Sequence, residues 1–464
     1  MRSKWAEPVF LNQHSRTYFR YNLPGPRTPL PKLLIRNARV ARPDGSIFEG
    51  DVLCSNRLIE RIAPHIGSPA DETLNAGGML LLPGVIDPQV HFREPGKEYK
   101  EDLGSGSRAA VKGGVTSFLE MPNTSPPTTS QAALNDKLKR AAEKSVANYG
   151  FFIGATPDNL DEINSASPAC GIKIFMGAST GDLLVDRAED LERIFANGER
   201  LIAVHAEDEA RIRARREQFK NRHDVAVHSE IRDNQCALSA TELALSLSKK
   251  YRRRLHVLHL STHEEVELLR RDKPAWVTAE VIPNHLLLNV ADYARLGALV
   301  QMNPPIRRPE DNAALWAGLH DGAIDFVATD HAPHTLEEKH KPYPESPAGM
   351  PGVETSLPLM LTEMKAGRCT LAEIQKWMCH GPASAYGIRS KGMILEGWDA
   401  DLTLVDLEHA RPVRNEEMFT RVRWSPFHGR ELYGWPLYTI VGGQIAYDRG
   451  KIREGVHGHA LQFS

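Results

Sequence analysis

The hydrophobic positions change period along the chain. From Leu33 to Ile66, short apolar runs alternate with turn residues: Leu33–Val40, Asp51–Cys54 and Leu58–Ile62, with Pro43-Asp-Gly45 after the first. Such runs predict strands, but too few to close a core alone. From Leu80 onward, apolar runs alternate with longer amphipathic stretches. The runs are Leu80–Ile86, Val115–Glu120, Tyr149–Ala155, Gly171–Met176, Leu201–Val204, Leu255–Leu258, Trp276–Val281 and Ile324–Ala328. Between them lie helix-like segments such as Gln131–Ser145, Glu189–Ala196, Asn234–Lys250 and His263–Arg271. Eight strands with intervening helices predict an α/β chain built on a (β/α)8 TIM barrel. An open doubly wound sheet would want a glycine-rich phosphate turn after an early strand, and the sequence has none there.

After Tyr386 the β character returns. Leu402–Val405 follows Gly397-Trp-Asp-Ala-Asp401, and Thr439–Val441 and Gln444–Tyr447 flank Gly442-Gly443 as a hairpin. Paired with Leu33–Ile66, these strands make one small β-sandwich from the N- and C-terminal segments, with the barrel inserted between its halves. The expected divisions are an N-terminal extension 1–32, sandwich 33–80, barrel 81–392, sandwich 393–452 and a C-terminal tail 453–464.

Composition narrows the function classes. The 464 residues are 41% hydrophobic and 25% charged, ordinary for a globular protein, and the net charge of -2 gives no electrostatic case for nucleic acid or membrane. No apolar run approaches the ~20 residues that span a bilayer. Five cysteines are scattered without a Cys-x-x-Cys pair, which points to reduced thiols and a cytoplasmic setting.

The chemistry gathers at strand ends. Gln89, His91 and Arg93 alternate after the first apolar run, and alternate strand residues share a face. Asn123 follows the second run, Lys173 stands inside the fourth, His205 ends the fifth, His259 the sixth, and Asp330 and His334 follow the eighth. A barrel places these ends at one mouth. Imidazoles with carboxylates there form a zinc-type ligand set. Lys173, between Ile172 and Ile174, is either salt-bridged or converted to a carbamate that bridges two cations.

The motifs Ile86-Asp-Pro-Gln-Val-His-Phe-Arg-Glu-Pro-Gly96, Met121-Pro-Asn-Thr124, Lys173-Ile-Phe-Met-Gly177, His205-Ala-Glu207, Met302-Asn-Pro-Pro-Ile-Arg307 and Thr329-Asp-His-Ala-Pro-His334 together resemble dihydroorotases of the amidohydrolase superfamily. The resemblance runs from about Leu33 to Tyr447. It implies reversible, metal-dependent cyclisation of N-carbamoyl-L-aspartate to dihydroorotate, with one or two zinc ions per chain. His91, carboxylated Lys173, His205, His259 and Asp330 would hold metal, and Asp330 would also shuttle the proton. Arg93, Asn123 and His334 would hold the substrate carboxylate, with Asn303 and Gly352 against the ring. The chain departs from the family at Gln89, where the pattern His-x-His has become Gln-x-His. An amide oxygen is a weaker zinc donor than imidazole, so Gln89 is at best a weak ligand.

Two other functions compete. One is another cyclic-amide hydrolase, of hydantoins, dihydropyrimidines or allantoin, whose substrates lack the carboxylate. The other is a non-catalytic barrel serving as partner of a carbamoyltransferase. The resemblance also implies a homodimer.

Overall fold

The computed structural model describes residues 30–178 and 183–464. The expected extension lies outside them except for residues 30–32. All eight expected barrel strands form and pair in parallel. They are Val85–Val90, Val115–Glu120, a strand bent at Phe152 into Asn148–Phe151 and Ile153–Gly154, Ile172–Phe175, Ile202–His205, Leu255–Val257, Val277–Val281 and Phe326–Val327. Helices Gln131–Lys144, Ala188–Ala196, Asn234–Tyr251 and His263–Asp272 connect them, within two residues of the expected bounds.

The last strand closes on the first through side chains as much as backbone. Thr329 Oγ1 donates to Asp87 Oδ2 at 2.6 Å, Thr329 N donates to Asp87 Oδ1 at 3.2 Å, and His91 N donates to His331 O at 2.8 Å. Burial pushes the Asp87 carboxyl up to about 7 against the Thr329 hydrogen bond.

The expected sandwich strands lie in a single nine-stranded sheet. Leu33–Ala41 pairs antiparallel with Ile47–Ser55 and parallel with Leu80–Pro83, which pairs antiparallel with Leu402–Asp406. Trp435–Val441 and Gln444–Asp448 extend it as the expected hairpin. The two chain segments therefore meet in one sheet around the barrel insertion. The apolar run Leu80–Ile86 is not one strand. Its first part belongs to this sheet, and its second begins the barrel after Gly84. A Cβ on Gly84 would fall 2.2 Å from Thr116 Oγ1, so the turn between the two sheets requires glycine.

Asp401 ties sheet to barrel. It is 6% exposed, accepts from Gly442 N at 2.7 Å and from barrel residue Asn148 Nδ2 at 3.0 Å, and pairs with Lys391. Removing one partner from a buried charge cluster is costly. Asp401→Ala should lower stability by about 3 kcal/mol, read from the midpoint of urea denaturation. A change below about 0.5 kcal/mol, the range of neutral surface substitutions, would show that the latch carries no stability.

Candidate active site

The sequence-predicted residues meet at one mouth of the barrel. His91 follows the first strand directly, Lys173 and His205 lie in the fourth and fifth, His259 is two residues beyond the sixth, and Asp330 three beyond the eighth. Three of the residues there have left-handed backbones without being glycine: Arg93 at φ 64°, His259 at φ 40° and Asp330 at φ 47°. Such conformations persist where surrounding structure over-determines them, and they cluster at functional sites. The alternation expected through Arg93 stops with the strand at Val90; Arg93 reaches the site through its left-handed turn.

The metal-type donors stand in two pairs. In the first, His91 Nε2 lies 3.0 Å from Asp330 Oδ1. His91 Nδ1 lies 2.7 Å from the Asn123 carbonyl oxygen. That acceptor assigns the ring proton to Nδ1 and turns the Nε2 lone pair towards Asp330. Gln89 Nε2 donates to the same Asp330 Oδ1 at 3.1 Å, while its Oε1 is buried without a hydrogen-bond partner. In the second pair, His205 Nδ1 lies 3.0 Å from His259 Nε2. His205 Nε2 is 3.0 Å from Glu207 Oε2 without an aligned hydrogen bond to it, and His259 Nδ1 is likewise buried without a partner. Against the cost of burial, Arg232 and His205 hold the Glu207 carboxyl down at about 2. A carboxylate behind an imidazole is the usual outer support of a metal-ligating histidine.

Lys173 is near both pairs. It is 1% exposed, its Nζ sits 4.4 Å from the Phe175 ring centroid, and its charge acts on His91, His205 and His259. Burial draws its amine down to about 7. Paired lone pairs at 3.0 Å in a dry site repel unless a cation or proton stands between them, so the donor set fits a divalent cation.

The substrate-type donors gather beside this. Arg93 Nε donates to Pro333 O at 3.2 Å, and its NH2 nitrogen lies 3.2 Å from His334 Nε2. Burial pulls the Arg93 guanidinium down to about 10, which leaves it charged at neutral pH. Gly352 N donates to His331 Nδ1 at 3.0 Å. A Cβ on Gly352 would meet Thr329 at 3.3 Å, next to Asp330. Asn303 Oδ1 lies 2.8 Å from His228 Nε2.

Several supporting residues escaped sequence reading. Glu207 was quoted only as part of a motif, and Lys100 and His228 carried no signal. Trp424 packs in one apolar cluster with Ile282 and Ala328 of the barrel and Trp435 of the large sheet, and donates from Nε1 to His334 O at 2.7 Å. His263 and His285 meet Asp311 and the Pro304 carbonyl. His263, Glu264 and Asp311 bring three ligand-type atoms within 4.8 Å, but Asp311 Oδ1 already accepts from His263 N and Asn234 Nδ2. Among the described residues no helix is long and apolar enough to cross a membrane.

Residues 80–446 match the amidohydrolase family. A dihydroorotase of Methanosarcina acetivorans is 37% identical over 435 residues, covering 90% of this chain and 92% of its own. One from Halobacterium salinarum is 37% identical over 419 residues, covering 89% and 96%. Among solved structures, the L-hydantoinase (dihydropyrimidinase) of Arthrobacter aurescens superposes with a TM-score of 0.88 at 32% identity, covering 93% of this chain and all of its own. The dihydropyrimidinase of Brevibacillus agri gives 0.84 at 25% identity, covering 91% and 96%. With a match over most of its length and relatives this similar, the chain belongs to the amidohydrolase family.

Proposed function

We propose that this protein is a dihydroorotase, closing N-carbamoyl-L-aspartate to dihydroorotate with release of water and running the reverse hydrolysis. The observation that carries the reading is the convergence of Arg93 and His334, two buried donors, beside Asp330 and the paired imidazoles. A substrate with one free carboxylate and one cyclic amide uses both halves. The identity to curated dihydroorotases over nine-tenths of the chain supports the same substrate.

His91 and Asp330 would hold a cation on one side, His205 and His259 on the other, with Lys173 near both; imidazole and carboxylate favour zinc. When bound, the cation polarises the ring carbonyl and acidifies water near neutral pH. The protein's residues do the rest. Arg93 and His334 orient the substrate by its carboxylate. In hydrolysis, Asp330 takes a proton from the attacking water and returns it to the ring nitrogen as the C–N bond breaks. Gln89 and His91 both approach Asp330 at Oδ1, which leaves Oδ2 to carry that proton. Lys173, with its amine drawn towards neutrality, can add CO2 and lose a proton to become the bridging carbamate. The reading carries the expected cytoplasmic setting with it. A homodimer and a carbamoyltransferase partner are both compatible with it, and size-exclusion chromatography separates them.

The structural likeness to an L-hydantoinase favours a second reading, hydrolysis of an uncharged cyclic amide. Arg93 and His334 would then face no anion. Arg93→Ala should raise KM for dihydroorotate roughly 100-fold, as for a truncated buried charge contact, and Arg93→Lys less, because it keeps the charge and loses the fork. Steady-state kinetics with dihydroorotate and hydantoin side by side test this. Hydantoin turnover without dihydroorotate turnover, or an unchanged KM in Arg93→Ala, would support the second reading.

A further inference from the structure

His334 and Arg93 pose a problem of proton placement. The Arg93 NH2 nitrogen is a donor with no lone pair, and it lies 3.2 Å from His334 Nε2. If Nε2 carried a lone pair, it would accept one Arg93 NH2 proton and would itself have no proton to offer. A ligand carboxylate would then meet only the remaining Arg93 N–H groups.

Lys100 resolves this. Its Nζ lies 2.8 Å from His334 Nδ1. An ammonium has three protons and nothing to accept with, so Nδ1 must be the acceptor and the ring proton sits on Nε2. Ala348 O, 3.1 Å from Nε2, accepts that proton here. Burial, then the charges of Arg93 and Lys100, hold the imidazole well below its ordinary range, so it stays neutral. Lys100 is 5% exposed and anchored, with Nζ 2.9 Å from Glu338 Oε1 and Tyr99 Oη donating to the same oxygen at 2.9 Å.

We propose that Lys100 is a positioning residue for carboxylate recognition: its ammonium fixes His334 as the Nε2–H tautomer, so that His334 has a donor to shift from Ala348 O to an arriving carboxylate and claims none of the Arg93 NH2 protons. This rests on the dihydroorotase reading, in which those two residues meet the substrate carboxylate. Lys100 itself touches neither the substrate nor the reacting atoms.

The test combines kinetics with the tautomer itself. Lys100→Met should raise KM for dihydroorotate about 10-fold or more, the effect of losing one charge-assisted donor, with kcat changed less than about twofold. Lys100→Gln, which returns an N–H donor of similar reach, should recover part of the loss. In 15N-histidine-labelled wild-type protein, with His334→Asn identifying the resonances, His334 should be protonated at Nε2; in Lys100→Met a population protonated at Nδ1 should appear. An unchanged KM in Lys100→Met, while Arg93→Ala still raises it, overturns the role of Lys100 and leaves the substrate reading standing. An unchanged KM in both overturns the substrate reading. A wild-type His334 protonated at Nδ1 overturns the proposal even if Lys100→Met fails to fold.

Discussion

Asp330→Asn should lower turnover of dihydroorotate at least about 10²-fold, the usual share of a lost acid–base group, in a protein that still folds. The substitution is unusually clean here. Asp330 holds φ 47°, and asparagine is among the few non-glycine residues that adopt this region readily. The Gln89 Nε2 donor, 3.1 Å from Oδ1, would find the asparagine carbonyl in the same place. His91 Nε2 lies 3.0 Å from that same oxygen, so it would face the asparagine carbonyl as it faces Oδ1 now, and the amide nitrogen would take the place of Oδ2. What disappears is the oxygen that takes and returns a proton. Because Arg93 and His334 are untouched, KM should move far less than kcat. Steady-state kinetics with circular dichroism as the folding control decide it. Turnover within twofold of wild type would remove Asp330 from proton transfer.

The barrel was legible because each strand is an apolar run that ends in polar residues, and the parallel strands carry those ends to one mouth. His91, Lys173, His205, His259 and Asp330 were legible for the same reason: each sits within a strand or in the three residues after one. The boundary at Gly84 was less so. The run Leu80–Ile86 is apolar apart from Pro83-Gly84, a turn signal short enough to be passed over, and the crowding of Thr116 shows why that turn needs glycine. The supporting residues were hidden because distant segments supply them. Trp424 reaches His334 across 90 positions and Lys100 across 234. No local period records such a pairing. The left-handed turns at Arg93 and His259 were equally invisible, because neither residue type announces that conformation.

Metal content should follow the donor pairs. His205 and His259 offer two imidazoles, with Glu207 behind the first. His91 and Asp330 offer one imidazole and one carboxylate, and the third neighbour is Gln89, whose Nε2 already binds Asp330 while its Oε1 has no partner. An amide that donates to the carboxylate stabilises the pair without a cation, whereas an imidazole lone pair in its place would raise the demand for one. The protein purified without added zinc should therefore hold nearer one metal per chain than two. Gln89→His should raise the content towards two. His259→Ala should empty the better pair, with turnover falling roughly 10³-fold as several kcal/mol of Lewis-acid assistance is lost. Elemental analysis of the three proteins prepared together, beside their kinetics, provides the measurement. Two firm metals in the unaltered chain would mean that Gln89 Oε1 or water completes the first pair, and the ranking of the two would be wrong. No metal in any of them, with no turnover, would instead support the non-catalytic partner of a carbamoyltransferase, because a site that neither binds a cation nor turns over substrate retains only its shape.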